Sequence, residues 1–280
     1  MLVRIWGCRG SVATPGRETL RYGGNTSCVE VVCRDGTQIV LDAGTGIRAL
    51  GLELAREPPQ TIHLCLTHLH LDHVEGLGFF APIFRPETEL HVWGPPRFAR
   101  TIQQRLAHYL SAPLFPLELI EIPATLVFHD VPSRPWEIGG ARIAAAHVSH
   151  PGTTVGYRVE ADGAALAYLP DHEPALGVGL ETLTPDWISG FSIAEDADVL
   201  MHDAQYTEDQ YRARIGWGHS SVGQAVAFAR ISQAEQLLLF HHDPLHSDAD
   251  LAALQATARE LWRDGGAPPE LAYEGMEIRL

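Results

Sequence analysis

The chain has 280 residues and a mass of 30.7 kDa, and 45% of the residues are hydrophobic, enough for a sizeable core. Its formal charge is −15, and no long basic run interrupts the sequence, which argues against a nucleic-acid groove as the main surface. No apolar run is long enough to span a bilayer, and all 20 cationic residues are arginines, with Asn25 the lone asparagine.

Leu2–Trp6 reads as a strand rather than a signal peptide, because no apolar h-region follows. Residues 7–27 are glycine-rich and polar, and so form a loop. Cys28–Cys33 and Thr37–Leu41 flank Asp35-Gly36, a strong hairpin signal. Asp42-Ala43-Gly44 breaks the second strand, and Ile47–Arg56 reads as a helix. Asp42 either hydrogen-bonds a ligand histidine or caps a turn, and the sequence leaves both open. Ile62–Leu66 is a short bounded apolar run, the pattern of a buried strand. Glu89–Trp93 is the next strand and Pro96–Leu110 a helix. Ser111–Pro135 carries five prolines and reads as an irregular cover, either a lid or simple packing.

Arg142–Val148 is a strand ending in Ser149-His150-Pro151-Gly152. Thr154–Val159 and Ala164–Leu169 form a hairpin at Asp162-Gly163, and its second strand ends in Pro170-Asp171. Thr184–Ala194 reads as helical, and Asp198–Met201 as a strand leading into His202-Asp203. Ser221-x-x-Gln224 is a capping box that opens a helix running to Arg230. Gln236–Phe240 is a strand ending in His241-His242, and a helix from Asp248 to Trp262 and a short strand follow. No composition shift or linker divides the chain, so residues 1–280 read as a single domain. Strands first, then strands alternating with helices, suggest two sheets with helices outside. The cysteines at 8, 28, 33 and 65 include no C-x-x-C pair. They read as buried free thiols, which fits a cytoplasmic protein.

The chemistry concentrates in Thr67-His68-Leu69-His70-Leu71-Asp72-His73. Three imidazoles and a carboxylate follow the Ile62–Leu66 strand within seven residues. These are ligands for zinc, manganese or iron. On extended backbone the alternating His68 and His70 point the same way. Asp72 and His73 follow as the chain turns, and can face a second ion. His150, Asp171 and His241 are further candidates, since each stands where a strand ends.

The run H-x-H-x-D-H resembles, residue for residue, the signature of the metallo-β-lactamase fold. His150 through Gly156-Tyr157 resembles the H-x5-G-Y pattern of the phosphodiesterase branch, which favours His150 over His147. Tyr168-Leu169-Pro170-Asp171 and Leu239-Phe240-His241 resemble the branch's later metal motifs, and His241 is preferred to His242 because it follows the strand directly. The resemblance implies an α+β fold, a four-layer αββα sandwich of two packed mixed sheets. It implies two divalent transition-metal ions, with zinc the first choice and manganese or iron the alternatives. The first would take His68, His70 and His150, and the second Asp72, His73 and His241, with Asp171 bridging. Two such ions against two carboxylates and a hydroxide leave roughly +1, an attraction for an anionic substrate.

His202-Asp203-Ala204 and His219-Ser220 resemble the H-E-A-T and H-S-T motifs of tRNase Z and related phosphodiesterases, with Asp203 where that branch has glutamate. This implies a catalytic set of His219, Asp203 and Asp72, and hydrolysis of a phosphodiester by a hydroxide held between the ions. No inserted arm of the kind that holds tRNA is visible. A small anionic diester such as a cyclic nucleotide is therefore the expected substrate, and a large nucleic acid or a membrane partner is not expected. A homo-oligomer is left open. The rival readings are a thiolester or lactone hydrolase, a di-iron redox protein, or a non-catalytic ligand sensor.

Overall fold

A computed structural model describes residues 1–262 and 266–280. The first half runs β1 (Leu2–Gly7), β2 (Cys28–Val32), β3 (Gln38–Leu41), α1 (Ile47–Leu54), β4 (Thr61–Cys65) and α2 (Leu71–Val74). It continues with β5 (Glu89–Gly94), α3 (Ile102–Leu106) and β6 (Thr125–Asp130). The second half begins with β7 (Trp136–Ile138), β8 (Ala141–His147), β9 (Val155–Ala161), β10 (Ala164–Leu169) and α4 (Phe191–Ala194). Then come β11 (Val199–Asp203), α5 (Glu208–Arg212), α6 (Val222–Ile231), β12 (Gln236–Phe240), α7 (Asp248–Leu261), β13 (Glu270–Leu271) and β14 (Glu277–Arg279).

Among the described residues these strands form two seven-stranded sheets. One has the order β14-β1-β2-β3-β4-β5-β6, the other β13-β12-β11-β10-β9-β8-β7. Both are mixed: β3 to β6 are parallel neighbours, as are β10 to β13, while the remaining pairs are antiparallel. Alternation along the strands explains the layers. Val3, Ile5, Val29, Val31, Ile39 and Leu41 of the first sheet meet Tyr157, Val159, Tyr168, Met201 and Phe240 of the second. The opposite face of the first sheet packs Val40, Leu64 and Val92 against Ile47 and Leu50 of α1 and Ile102 of α3. The opposite face of the second packs Leu200, Leu237 and Leu239 against Val226 of α6 and Leu251 of α7. The result is the expected α+β sandwich with helices outside both sheets. Truncating a central residue such as Leu41 or Phe240 to alanine should cost roughly 2–5 kcal/mol.

Three expectations need correction. The helix expected over Pro96–Leu110 is only Ile102–Leu106, because Thr101 caps it through a capping box with Gln104 and the prolines lie before that cap. The helix expected over Thr184–Ala194 is a short 3-10 turn, Pro185–Trp187, and then α4. Gly190, at φ 73°, interrupts the two. The segment 111–135 is not wholly irregular, since Thr125–Asp130 pairs in parallel with β5. Phe115, Leu119 and Ile122 of the rest pack into the core under the first sheet's helices, while Leu114 and Ile120 are exposed. All four cysteines are buried and unpaired. No helix among the described residues is long and apolar enough to cross a membrane.

Candidate metal centre

Parallel strands deliver their C-terminal ends to one place. From the first sheet, β3 leads to Asp42, and β4 leads through Thr67 and His68 to His70. His70 is still extended (φ −68°, ψ 153°) and forms the boundary of α2, so Asp72 and His73 lie on that short helix. From the second sheet, β8 leads to His150, β10 to Asp171, β11 ends at Asp203, and β12 leads to His241. Asp42 and His241 have left-handed backbones (φ 61° and 58°), a conformation uncommon for residues other than glycine, adopted by Asp and His more readily than by most, and concentrated at functional sites.

The seven candidate ligands fall into two groups. His68, His70 and His150 offer donor atoms within 4.8 Å of one another, and so do Asp72, His73, Asp171 and His241. Asp171 lies between them. Its Oδ1 is 3.9 Å from His68 Nε2, 3.7 Å from His150 Nε2 and 3.3 Å from His241 Nε2, while Oδ2 is 2.9 Å from His73 Nε2. That last pair is close but misaligned for a hydrogen bond. Both atoms, with His68 Nε2, are buried and without a hydrogen-bond partner. Native interiors seldom tolerate this, and cations in the two ligand groups would satisfy all three. The centre is not sealed, because His70 is exposed.

The other ring nitrogens are held by the protein. His73 Nδ1 meets Asp42 Oδ2 at 2.8 Å, His241 Nδ1 meets Gln205 Oε1 at 3.0 Å, and His150 Nδ1 meets the Gly218 carbonyl at 2.9 Å. Each contact places a proton on Nδ1 and turns Nε2 toward the shared space, as histidine ligands require. Asp42 also accepts from the Thr67 N–H and the Tyr168 hydroxyl. Of its two readings, the histidine partner is the one seen. Asp72 Oδ2 accepts from the Ser11 N–H at 2.7 Å. The loop carrying Ser11 reaches in because Gly10 lacks a side chain. A Cβ there would lie 2.4 Å from the His241 ring.

The electrostatics are those of a cation site. Burial opposes a charge on His73, but Asp171, Asp72 and Asp42 outweigh it and hold its pKa well above the ordinary value. Burial alone would raise Asp171, yet the charges of His241, His73 and His68 hold its carboxyl well below the usual range. Asp72 is depressed in the same way by His73 and His241. His68 is kept neutral, by burial first and by His73 second. Seven donors of this type, two of them carboxylates, fit divalent transition metals.

His219 and Asp203 stand at the rim. His219 Nδ1 is 2.7 Å from Asp203 Oδ2 and 3.9 Å from Asp171 Oδ1. Burial lowers the affinity of His219 for a proton, but the charges of Asp203, Asp171 and Asp72 push its pKa up to about 9. Asp203 also accepts from the Ser220 and Gln205 N–H groups, which fixes the carboxylate.

The competing histidines lie elsewhere. His147 is exposed at the end of β8. His242 Nε2 donates to the Ala272 carbonyl at 2.8 Å, and His202 Nε2 meets His172 Nδ1 at 2.9 Å in the interior. Sequence reasoning missed Gln205, Glu173 and the Gly218 carbonyl. Glu173 is fully buried and accepts from the Tyr211 hydroxyl and from the Gly216 and Gly218 N–H groups. It anchors the loop that positions the Gly218 carbonyl and His219. A glutamate two residues after Asp171 was the only available signal, and spacing gives it no meaning.

Comparison with known proteins adds to this geometry. Residues 37–242 match the family model described as the beta-lactamase superfamily domain. The chain is 25% identical to ribonuclease Z of Myxococcus xanthus, over 76% of this chain and 79% of that protein. It is 26% identical to ribonuclease Z of Haloarcula marismortui, over 100% of this chain and 97% of that protein. Two solved structures share the fold. One is YhfI of Bacillus subtilis, at TM-score 0.70 and 19% identity over 99% of each chain. The other is the short form of human tRNase Z, at TM-score 0.66 and 18% identity over 100% of this chain and 99% of that one. The expectation that a large nucleic acid is excluded as partner is therefore overturned, because relatives along the whole chain are ribonucleases. Net charge is a sum over the entire surface and does not fix the field at one cleft.

Proposed function

This chain belongs to the beta-lactamase superfamily, and on that premise we propose that it is a metal-dependent phosphodiester hydrolase. One observation carries the reading: Asp171 belongs to one ligand group and lies 3.9 and 3.7 Å from His68 and His150 of the other, and His219, paired with Asp203, stands 3.9 Å from that same carboxylate. His68, His70 and His150 would hold one divalent ion, and Asp72, His73 and His241 the other, with Asp171 between. Such ions would polarise a phosphoryl oxygen and supply an activated water at neutral pH.

The chain's own residues account for the rest. Asp42, Gln205 and the Gly218 carbonyl lock three imidazoles in the ligand tautomer. His219 hands a proton to the leaving oxygen. Asp203 holds its Nδ1 and stabilises the charged ring, as a carboxylate does for a catalytic histidine. The name ribonuclease Z of the relatives supports cleavage of a phosphodiester, and RNA and small diesters both remain within the proposed class.

The test is a panel of bis(4-nitrophenyl) phosphate, a cyclic nucleotide, a short RNA with a 3′ extension, a thiolester and a lactone. Diester cleavage should disappear with a chelator and return with added metal. Turnover of the thiolester or lactone far above every diester would refute the proposal.

A further inference from the structure

The ligand groups do not fill their cleft. A pocket of about 510 Å³ adjoins them, lined by His219, Tyr206, Arg214, Trp217, Asp243 and Leu245 among others. This is within the range of small-molecule sites. His219 belongs to both, since its ring lines the pocket and lies 4.9 Å from that of His241.

Two residues of the pocket lack a structural explanation. Trp217 leaves 60% of its surface exposed. Its backbone is nevertheless held in place, because Gly216 and Gly218 on either side both donate their N–H groups to Glu173, each at 2.9 Å. Arg214 is the second. Its guanidinium carbon lies 5.1 Å from the ring centre of Tyr206 and 5.8 Å from that of Trp217. One of its nitrogens donates to the Gln210 carbonyl, and it forms no ion pair among the described residues. An exposed indole on an anchored backbone, beside a guanidinium without an ion pair, is a surface for a flat π-system, which stacks on both groups.

We propose that this pocket is the leaving-group subsite and selects phosphodiesters whose leaving alcohol carries an aromatic base, with Trp217 and Arg214 determining that preference. The side follows from His219. It protonates the leaving oxygen, so whatever that oxygen carries extends into the pocket that His219 lines. The inference rests on the phosphodiesterase reading.

Binding tests it without turnover. Adenosine 5′-monophosphate and ribose 5-phosphate share a sugar and a phosphate and differ only in the base. Each is titrated calorimetrically into the metal-loaded protein. The nucleotide should bind more tightly, by roughly 5- to 150-fold, as loss of one stacked base implies. Trp217→Ala and Arg214→Ala should each narrow that gap, and Trp217→Phe should keep most of it. Equal binding of the two ligands by the wild type would overturn the proposal, as would an unchanged gap in Trp217→Ala. A Trp217→Ala protein that loses its metal would assign the ring a structural part, with the same consequence. Diester cleavage without base preference would sink this inference alone, whereas base preference without diester cleavage would sink the proposed function and, with it, the leaving-group role of the pocket.

Discussion

Asp42 Oδ2 lies 2.8 Å from His73 Nδ1, and both side chains are completely buried. The carboxylate follows β3 and the imidazole lies on α2, so the contact ties the last residue of the H-x-H-x-D-H run to the end of the strand that neighbours β4. It fixes the tautomer of a candidate ligand and keeps Nε2 facing Asp171. Asp42→Asn preserves the shape but removes the charge. Metal affinity should fall about 10- to 100-fold, measured by competition with a chromophoric chelator, while far-ultraviolet circular dichroism stays unchanged. Wild-type affinity in this variant would remove Asp42 from the site.

His219→Ala bears on the acid role. General acid catalysis contributes about 10²–10⁴-fold, most where the leaving group is poor. Alkyl phosphodiesters should therefore slow severely and nitrophenyl diesters much less, with metal content intact. Asp203→Asn should show the same pattern more weakly, because the ring keeps its place but loses the stabilising charge. Equal losses for both leaving groups would assign His219 some other part.

Glu173 is the buried carboxylate that the mechanism reaches only through the loop it anchors. Glu173→Gln keeps one acceptor oxygen and substitutes an amide for an oxygen that accepts from backbone N–H groups. Hydrogen bonds to a charged group contribute about 1.5–3 kcal/mol each, so a loss of roughly that size is expected in urea unfolding. Diester turnover should fall too, since the Gly218 carbonyl and His219 ride on the same loop. Unchanged stability and unchanged turnover together would contradict this account of the loop.

His202 gives a pH dependence. Burial pushes its pKa down to about 4 from an ordinary 6.5. The unfolded chain therefore takes up the proton first as pH falls. This contribution to stability is constant above about pH 6.5 and is lost progressively down to about pH 4, by a total on the order of 3 kcal/mol. His202→Gln removes the titration. Its stability should decline less steeply than the wild type's between pH 6.5 and 4, read from denaturant midpoints at a series of pH values. Parallel slopes for the two proteins would place the acid sensitivity elsewhere.

The sequence exposed what local chemistry encodes. His68, His70, Asp72 and His73 form one short run, and strand ends marked by proline or glycine picked out His150 and Asp171. Alternating apolar residues made most strands visible. Long-range partners were not visible in this way. Gln205 and the Gly218 carbonyl acquire meaning only when the chain after β11 meets His241 beyond β12 and His150 beyond β8, and no spacing encodes that approach. Strand β6 was hidden because Thr125–Asp130 lies among prolines and is only half buried, so its alternation is faint. The expectation against a large nucleic acid failed for a related reason, since a charge of −15 averages over faces that a substrate never meets.

The central claim is a shared two-ion centre, and metal stoichiometry tests it most directly. The protein is stripped with a chelator, reconstituted with zinc, manganese or iron(II), desalted and analysed for metal per chain. Close to two equivalents are expected for the wild type, and loss of much of that in Asp171→Ala, because this carboxylate lies against both ligand groups. A wild-type protein that never holds more than a trace of any of these metals would contradict it.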